Sequence, residues 1–283
     1  MEPYVNYNGN LVLGSEPVFT ASSRAVRYGD GLFETMRWHE GKILLPNQHC
    51  SRLFTGLELL QFELPASFTW DFLQDEITKL VNLNGKPNHA RIRLSVSRGE
   101  GSILDEAHHS PCFLIECWSV EDFSFDTNGL TIGVYDGHRK TMNEYANIKS
   151  ANYLPSVLAV LFAKQKGWNE ALLLNSENRI CDAALSNVFW IKNGNIYTPP
   201  LTEGGIAGAV RSYLLKSLSG FTIEERIAPV EELMQADEIF LSSVIKGVQF
   251  VRTFGDRSFR NDITSMIFTS VVAGLKESIA FQE

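Results

Sequence analysis

The sequence predicts an α/β (α+β) chain folded as two domains, and three observations carry that prediction. Its 283 residues exceed what one hydrophobic core usually supports. Residues 90–97 alternate strictly, with Ala90, Ile92, Leu94 and Val96 on one face and Arg91, Arg93, Ser95 and Ser97 on the other, as a half-buried strand requires. Elsewhere apolar residues recur at helical spacing, first at Leu53, Leu57 and Leu60, then at Phe72, Leu73, Ile77, Leu80 and Val81. We expect an N-terminal α/β domain over residues 1–119, a polar and aromatic linker over 120–128, and a second domain over 129–283.

Composition excludes several functions. Hydrophobic residues make up 44% and charged residues 20%, the balance of a folded globular chain. Lys+Arg 25 against Asp+Glu 33 gives a net charge of −8, which offers nucleic acid little, so no such partner is expected. The longest apolar runs, such as 157–163, are too short to span a bilayer, and the first residues lack the basic and apolar segments of a signal peptide. Cys50, Cys112, Cys117 and Cys181 form no CxxC pair and show no metal-ligand spacing with the six histidines, which points to a reduced cytoplasm. His108 and His109 are chain neighbours that would point apart, and we expect them in an exposed loop rather than on a metal.

In the first half, strands over 4–7 and 11–13 flank the hairpin signal Asn8-Gly9-Asn10. The stretch from Arg24 to Arg37 is dense in polar groups and turns at Gly29-Asp30-Gly31 without the dinucleotide glycine pattern. Gly41-Lys42 turns the chain back into 43–45. Pro46 and Asn47 then open a helix to about residue 60, on which His49 and Arg52 share an edge. A second helix is expected over 69–82. The alternating strand ends at Arg98-Gly99, where Arg98 is either a bidentate receiver of a carboxylate or a solvated loop residue. A strand over 112–118 closes this half.

The second half begins with a strand over 130–135 and a polar loop leading to Lys149. Leu154, Val157, Leu158, Leu161 and Phe162 follow at helical spacing, so a helix over 153–166 is expected to be buried with Lys149 at its entry. Lys149 is then either a restrained amine or an ordinary solvated loop lysine. After a strand over 170–175, Asp182 stands among small and apolar neighbours, where an unpaired carboxylate is costly. It needs a cation or several donors, unless it caps a local turn. The glycine-rich run ending at Gly208 leads into Val210, Tyr213, Leu214 and Leu218 at helical spacing, and backbone N–H groups opening a helix favour an anion. Further strands are expected over 221–226, 238–243 and 248–254, and helices over 230–235 and 262–278.

A restrained lysine, a semi-buried acid, a glycine-and-helix anion site and isolated arginines are together what pyridoxal 5′-phosphate requires. It forms a Schiff base with a lysine, needs an acid on its pyridine nitrogen, and carries a phosphate to be cradled.

On these residues the chain resembles the class IV aminotransferases, the fold-type IV pyridoxal-phosphate enzymes that include branched-chain and D-amino-acid aminotransferases and 4-amino-4-deoxychorismate lyase. The resemblance runs from Tyr28-Gly-Asp-Gly-Leu-Phe-Glu to Ser242-Ser243. It makes His49-x-x-Arg52-Leu53 the phosphate-arginine helix, Lys149 with Asn152-Tyr153-Leu154 the Schiff-base segment, and Gly208-Ala-Val-Arg211 the phosphate turn. It thereby implies Arg52, the N–H groups of Ala209 and Val210, and the Ser243 hydroxyl as phosphate ligands. Asp182, followed by small residues and Asn187-Val188-Phe189, stands where the family usually has glutamate, shorter by roughly 1.5 Å. The resemblance implies that Lys149 and Asp182 carry the catalysis with Thr35, that Arg98 takes a substrate carboxylate, and that Tyr28 lines the pocket. It also implies a small N-terminal domain, a larger C-terminal domain, the cofactor in the cleft between them, and a homodimer that completes each site at its interface. The first expectation for activity is an aminotransferase acting on a small amino acid. Phe33-Glu34-Thr35, without the glycine common in branched-chain enzymes, keeps aminodeoxychorismate lyase, acting on an amino-chorismate, as the alternative. A non-catalytic member of the fold is the third reading.

Overall fold

The computed structural model describes residues 3–105, 110–218 and 220–280. His108 and His109 lie outside the described residues. Contacts group the chain into two units, one reaching to Asp122 and including Lys149–Asn152, the other comprising Phe123–Ile148 and the residues from Tyr153 onward.

The first unit contains β1 (Tyr4–Tyr7), β2 (Asn10–Leu13), α1 (Arg24–Tyr28), β3 (Gly31–His39), β4 (Lys42–Ile43), α2 (Pro46–Leu59), α3 (Trp70–Leu83), β5 (His89–Arg98) and β6 (Pro111–Ser119). Its six strands form one antiparallel sheet in the order β2-β1-β6-β5-β3-β4. Asn8 and Gly9, with φ of 52° and 86°, make the tight turn that the hairpin signal calls for. α2 starts at Pro46, whose fixed φ suits a first helical position, and α3 starts after Thr69, whose hydroxyl accepts the Phe72 amide at 3.2 Å. The core lies between the helices and one sheet face, where Leu32, Met36, Ile92, Leu94 and Ile115 meet Leu53, Leu57, Leu73, Ile77 and Leu80. Each such side chain contributes about 1.5–3 kcal/mol on full burial. Residue alternation in β5 therefore falls as its pattern predicts.

The second unit contains β7 (Leu130–Lys140), α4 (Leu154–Gln165), β8 (Glu170–Asn175), β9 (Ile180–Ala183), β10 (Asn187–Lys192), β11 (Asn195–Thr198), α5 (Ala209–Ser217), β12 (Ile223–Glu225), α6 (Val230–Met234), β13 (Glu238–Ser243), β14 (Gly247–Phe254), β15 (Arg257–Ser258) and α7 (Asp262–Ala280). The strands run β12-β11-β10-β13-β14-β7-β8-β9, with β15 beside β14, and mix parallel and antiparallel pairs. No described helix is long and apolar enough to cross a membrane.

One expectation about this unit is corrected. The helix behind Lys149 forms, but Leu154, Val157, Leu158 and Leu161 are 63%, 47%, 40% and 49% exposed, while Ser156, Ala159 and Ala163 are buried. Small side chains let α4 approach the strands closely, and the large aliphatics are left on the outer face.

Candidate active site

In the first unit, residues 149–151 run antiparallel beside the start of β3. Phe33 N donates to Lys149 O and Ala151 N to Gly31 O, both at 2.9 Å, and Leu32 bridges Ser150. Gly31 tolerates no side chain, since a Cβ would meet Val96 O at 2.3 Å. The Lys149 backbone is thus fixed to the sheet. Its Nζ sits 4.5 Å from the centroid of the Phe33 ring, and the Arg93 guanidinium carbon sits 3.8 Å from the same centroid.

Phe33 and Thr35 alternate onto the face of β3 that pairs with Ser95 and Arg93 of β5. Glu34 takes the opposite face, where a carboxylate interrupts the apolar series Leu32, Met36, Trp38. There Arg52 Nε donates to Glu34 Oε1 at 2.7 Å, Arg52 Nη2 to Oε2 at 2.5 Å, and His49 Nδ1 lies 2.7 Å from Oε2. Burial alone would raise the Glu34 carboxyl, but the Arg52 guanidinium and then His49 outweigh it and hold it at about 2. His49 moves down from its ordinary value, chiefly by burial, against the pull of Glu34. Because a carboxylate only accepts, His49 Nδ1 carries the proton; Nε2 is buried without a hydrogen-bond partner.

Arg98 faces the other way from Thr35 and Arg93. Its Nε donates to Asp30 Oδ1 at 3.3 Å, its Nη2 donates to the Leu60 carbonyl, and its guanidinium lies 4.6 Å from the Phe62 ring centroid. Arg24 Nε meets the same Asp30 at 2.8 Å and stacks 5.5 Å from the Tyr28 ring centroid. Arg98 and Arg24 thus both pair with Asp30, and Arg93 shares a face with Thr35.

In the second unit, Asp182 is 2% exposed and meets the donors its burial demands. Asn187 Nδ2 donates to Oδ1 at 3.0 Å, Ile206 N donates to Oδ2 at 2.9 Å, and Lys140 Nζ lies 3.8 Å from Oδ2. Asn187 Nδ2 also donates to Ile206 O at 2.9 Å. Its Oδ1 occupies the place of a side chain at Gly208, where a Cβ would sit 1.8 Å away. Gly208 thus opens α5 without a side-chain cap, and the first amides of the helix, at Ala209 and Val210, have no side-chain acceptor. Asn147, two residues before Lys149, anchors its chain to the glycine run, donating to Leu201 O at 2.8 Å and Gly205 O at 2.7 Å.

Arg211 is buried and donates to Glu225 and to Pro199 O, so it braces the turn. Ser243 Oγ accepts from Lys246 N at 3.3 Å. Ser242, paired in register with Asn187 and so on its face, has a buried Oγ with no hydrogen-bond partner. Arg139 donates to Asn178 at 2.9 Å. Among the described residues, His39, His89 and Asp122 bring ligand-type atoms within 4.8 Å of one another, but the Arg37 guanidinium lies 3.8 Å from Asp122, and Lys42 stands opposite His39 in the strand register. That positive surround opposes a divalent cation.

Residues 31–254 match the family Amino-transferase class IV. A putative branched-chain-amino-acid aminotransferase of Methanocaldococcus jannaschii is 28% identical over 83% of this chain and 82% of that protein. An aminodeoxychorismate lyase of Bacillus subtilis is 28% identical over 87% of this chain and 85% of that protein. A branched-chain aminotransferase of Thermoproteus uzoniensis has the same fold, with a TM-score of 0.87 at 24% identity over 98% and 96% of the two chains. The chain belongs to the class IV aminotransferases, enzymes that use pyridoxal 5′-phosphate.

Proposed function

We propose that this chain carries pyridoxal 5′-phosphate on Lys149 and acts on the amino group of a small amino acid as an aminotransferase. The observation that carries the reading is the Asn187 side chain, which holds Asp182 and at the same time packs against Gly208 at the mouth of α5. An acid suited to a protonated ring nitrogen and amides suited to a phosphate are thereby fixed to one another. The uncapped α5 amides and the partnerless Ser242 hydroxyl fit a phosphate, and Asp182 fits a ring N–H.

Bound there, the cofactor supplies a carbonyl that condenses with amines and a protonated ring that draws electron density from the adjoining carbon. Arg52, aimed by Glu34, would hold the phosphate, as would the amides of Ala209 and Val210 and the hydroxyls of Ser242 and Ser243. Asp182 holds the proton on the ring nitrogen. With the cofactor bound, the Lys149 amine would be the group that moves the proton at the substrate α-carbon. Arg93, which meets Ser95 and Glu116 and shares its face with Thr35, would receive the substrate carboxylate, while Arg98 holds Asp30 and the Leu60 carbonyl. Tyr28 lines the approach beside Arg24.

Thr35 also supports a second reading, aminodeoxychorismate lyase, because it sets a hydroxyl on the strand face that carries Phe33, over whose ring the Lys149 amine sits. We further read the protein as a homodimer with its site completed at the interface. The exposed Leu154, Val157, Leu158 and Leu161 stripe of α4 supports a partner copy. Four unpaired cysteines support a cytoplasmic setting. Borohydride reduction of the cofactor-loaded protein followed by peptide mapping is expected to label Lys149, and a label elsewhere would overturn the reading. Amino acids with 2-oxoglutarate, assayed beside aminodeoxychorismate with detection of 4-aminobenzoate and pyruvate, decide between the two activities.

A further inference from the structure

The proposed chemistry leaves several buried acids of the second unit unused, Glu170 among them. Glu170 opens β8, is 7% exposed, and turns its carboxyl onto the segment 183–186 that joins β9 to β10. Leu185 N donates to Oε1 at 2.7 Å and Ser186 Oγ to Oε2 at 3.0 Å. That short segment has Asp182 immediately before it and Asn187 immediately after it. Two backbone bonds also hold it, Ala183 N to Ser186 O and Ala184 N to Ala171 O, both at 2.9 Å. Neither fixes the Leu185 amide, which Glu170 alone is seen to receive.

We propose that Glu170 is a positioning residue for the ring-facing acid: its carboxyl clamps residues 183–186 and so sets Asp182 and Asn187 in the geometry that a protonated ring nitrogen requires. The clamp is insensitive to its own charge. Burial pushes the Glu170 carboxyl up to about 7, against the Leu185 amide and Ser186 hydroxyl, and the Asp182 charge pushes the same way. When ionised, Glu170 accepts from both partners. When protonated, it still accepts from Leu185 N while its own O–H donates to Ser186 Oγ, which needs only a hydroxyl rotation. A glutamine reproduces the second arrangement.

The inference rests on the reading of Asp182 as the ring acid, and the test separates the two. Apo-protein is titrated with pyridoxal 5′-phosphate and with the analogue whose ring nitrogen is replaced by C–H, following protein fluorescence. Asp182→Ala is expected to weaken the first and spare the second. Glu170→Ala is expected to do the same, by about tenfold for loss of two buried hydrogen bonds, and to have no added effect in the Asp182→Ala background. Glu170→Gln is expected to restore affinity to within about twofold, since both bonds survive. Ser186→Ala removes only one bond and gives a milder loss of the same kind, which keeps the test open should Glu170→Ala not fold. Equal weakening of both ligands by Glu170→Ala, or no weakening while Asp182→Ala discriminates, overturns the inference alone. An Asp182→Ala protein that does not discriminate overturns the reading beneath it.

Discussion

Glu34→Gln removes the charge that aims Arg52. Glu34 is held at about 2 against an ordinary 4.5, which favours the ionised form by about 3 kcal/mol. The folded value lies below the unfolded one, so this stability is fully present above pH 4.5 and is lost as pH falls toward 2. The variant is therefore expected to be about 3 kcal/mol less stable than the parent at pH 7, with the difference closing as pH drops through that window. At pH 7 it also leaves the Arg52 guanidinium facing a neutral amide, so phosphate affinity should fall with stability. Urea unfolding of both proteins at pH 7, 5, 4 and 3 measures the difference directly. A variant as stable as the parent at pH 7, or a difference that does not shrink in acid, would refute the argument that the ion pair organises this end of α2.

Four further outcomes are expected. Gly208→Ala places a Cβ where Asn187 Oδ1 sits and should cost cofactor affinity at least about tenfold by titration, through loss of the Asn187 bonds, with circular dichroism unchanged. Arg93→Met should raise KM about tenfold or more at unchanged unfolding free energy, whereas Arg98→Met should lower that free energy by about 2–3 kcal/mol; the opposite pattern restores Arg98 to the substrate. Val157→Glu with Leu161→Glu should convert a dimer to monomer by sedimentation, because two charges cannot be desolvated in an apolar contact. Asp182→Glu should bind the cofactor less tightly by titration, although it restores the residue usual in the family.

The sequence announces its regular elements because periods of two and of 3.6 are written by burial itself, as in β5 and α3. It hides α1, whose five residues are too few to show a period. It misleads over α4 because a hydrophobic stripe says that a helix is two-faced without saying which face meets the sheet. Ser156, Ala159 and Ala163 win that contact by being small. Lys149 and the glycine turn stand out in the sequence by local motif, while Glu34 takes its partners from a different element. The signal for Glu34 is present all the same, as a charge standing at a core position of an alternating strand. Arg98, even-numbered, falls with Leu94 and Val96 on the apolar face of β5, and Arg93 on the polar one.

Asp182 shows how such a substitution becomes internally consistent. Gly205 lies so close that a Cβ there would meet Cys181 O at 2.6 Å and stand 3.9 Å from Asp182 Oδ2, and the next amide, Ile206 N, reaches that oxygen at 2.9 Å. The glycine run is thus packed against the strand of the acid, at the reach of an aspartate. A glutamate would carry its oxygens about 1.5 Å further, past Ile206 N, and would either lose both donors or push Gly205 off Cys181. The shorter acid is therefore not a weakened copy of a longer one. Its length, the bare backbone of Gly205, the Asn187 amide that fills Gly208, and the Glu170 bonds to Leu185 and Ser186 are one arrangement, and changing any member should disturb the Asp182 carboxylate before it disturbs the fold.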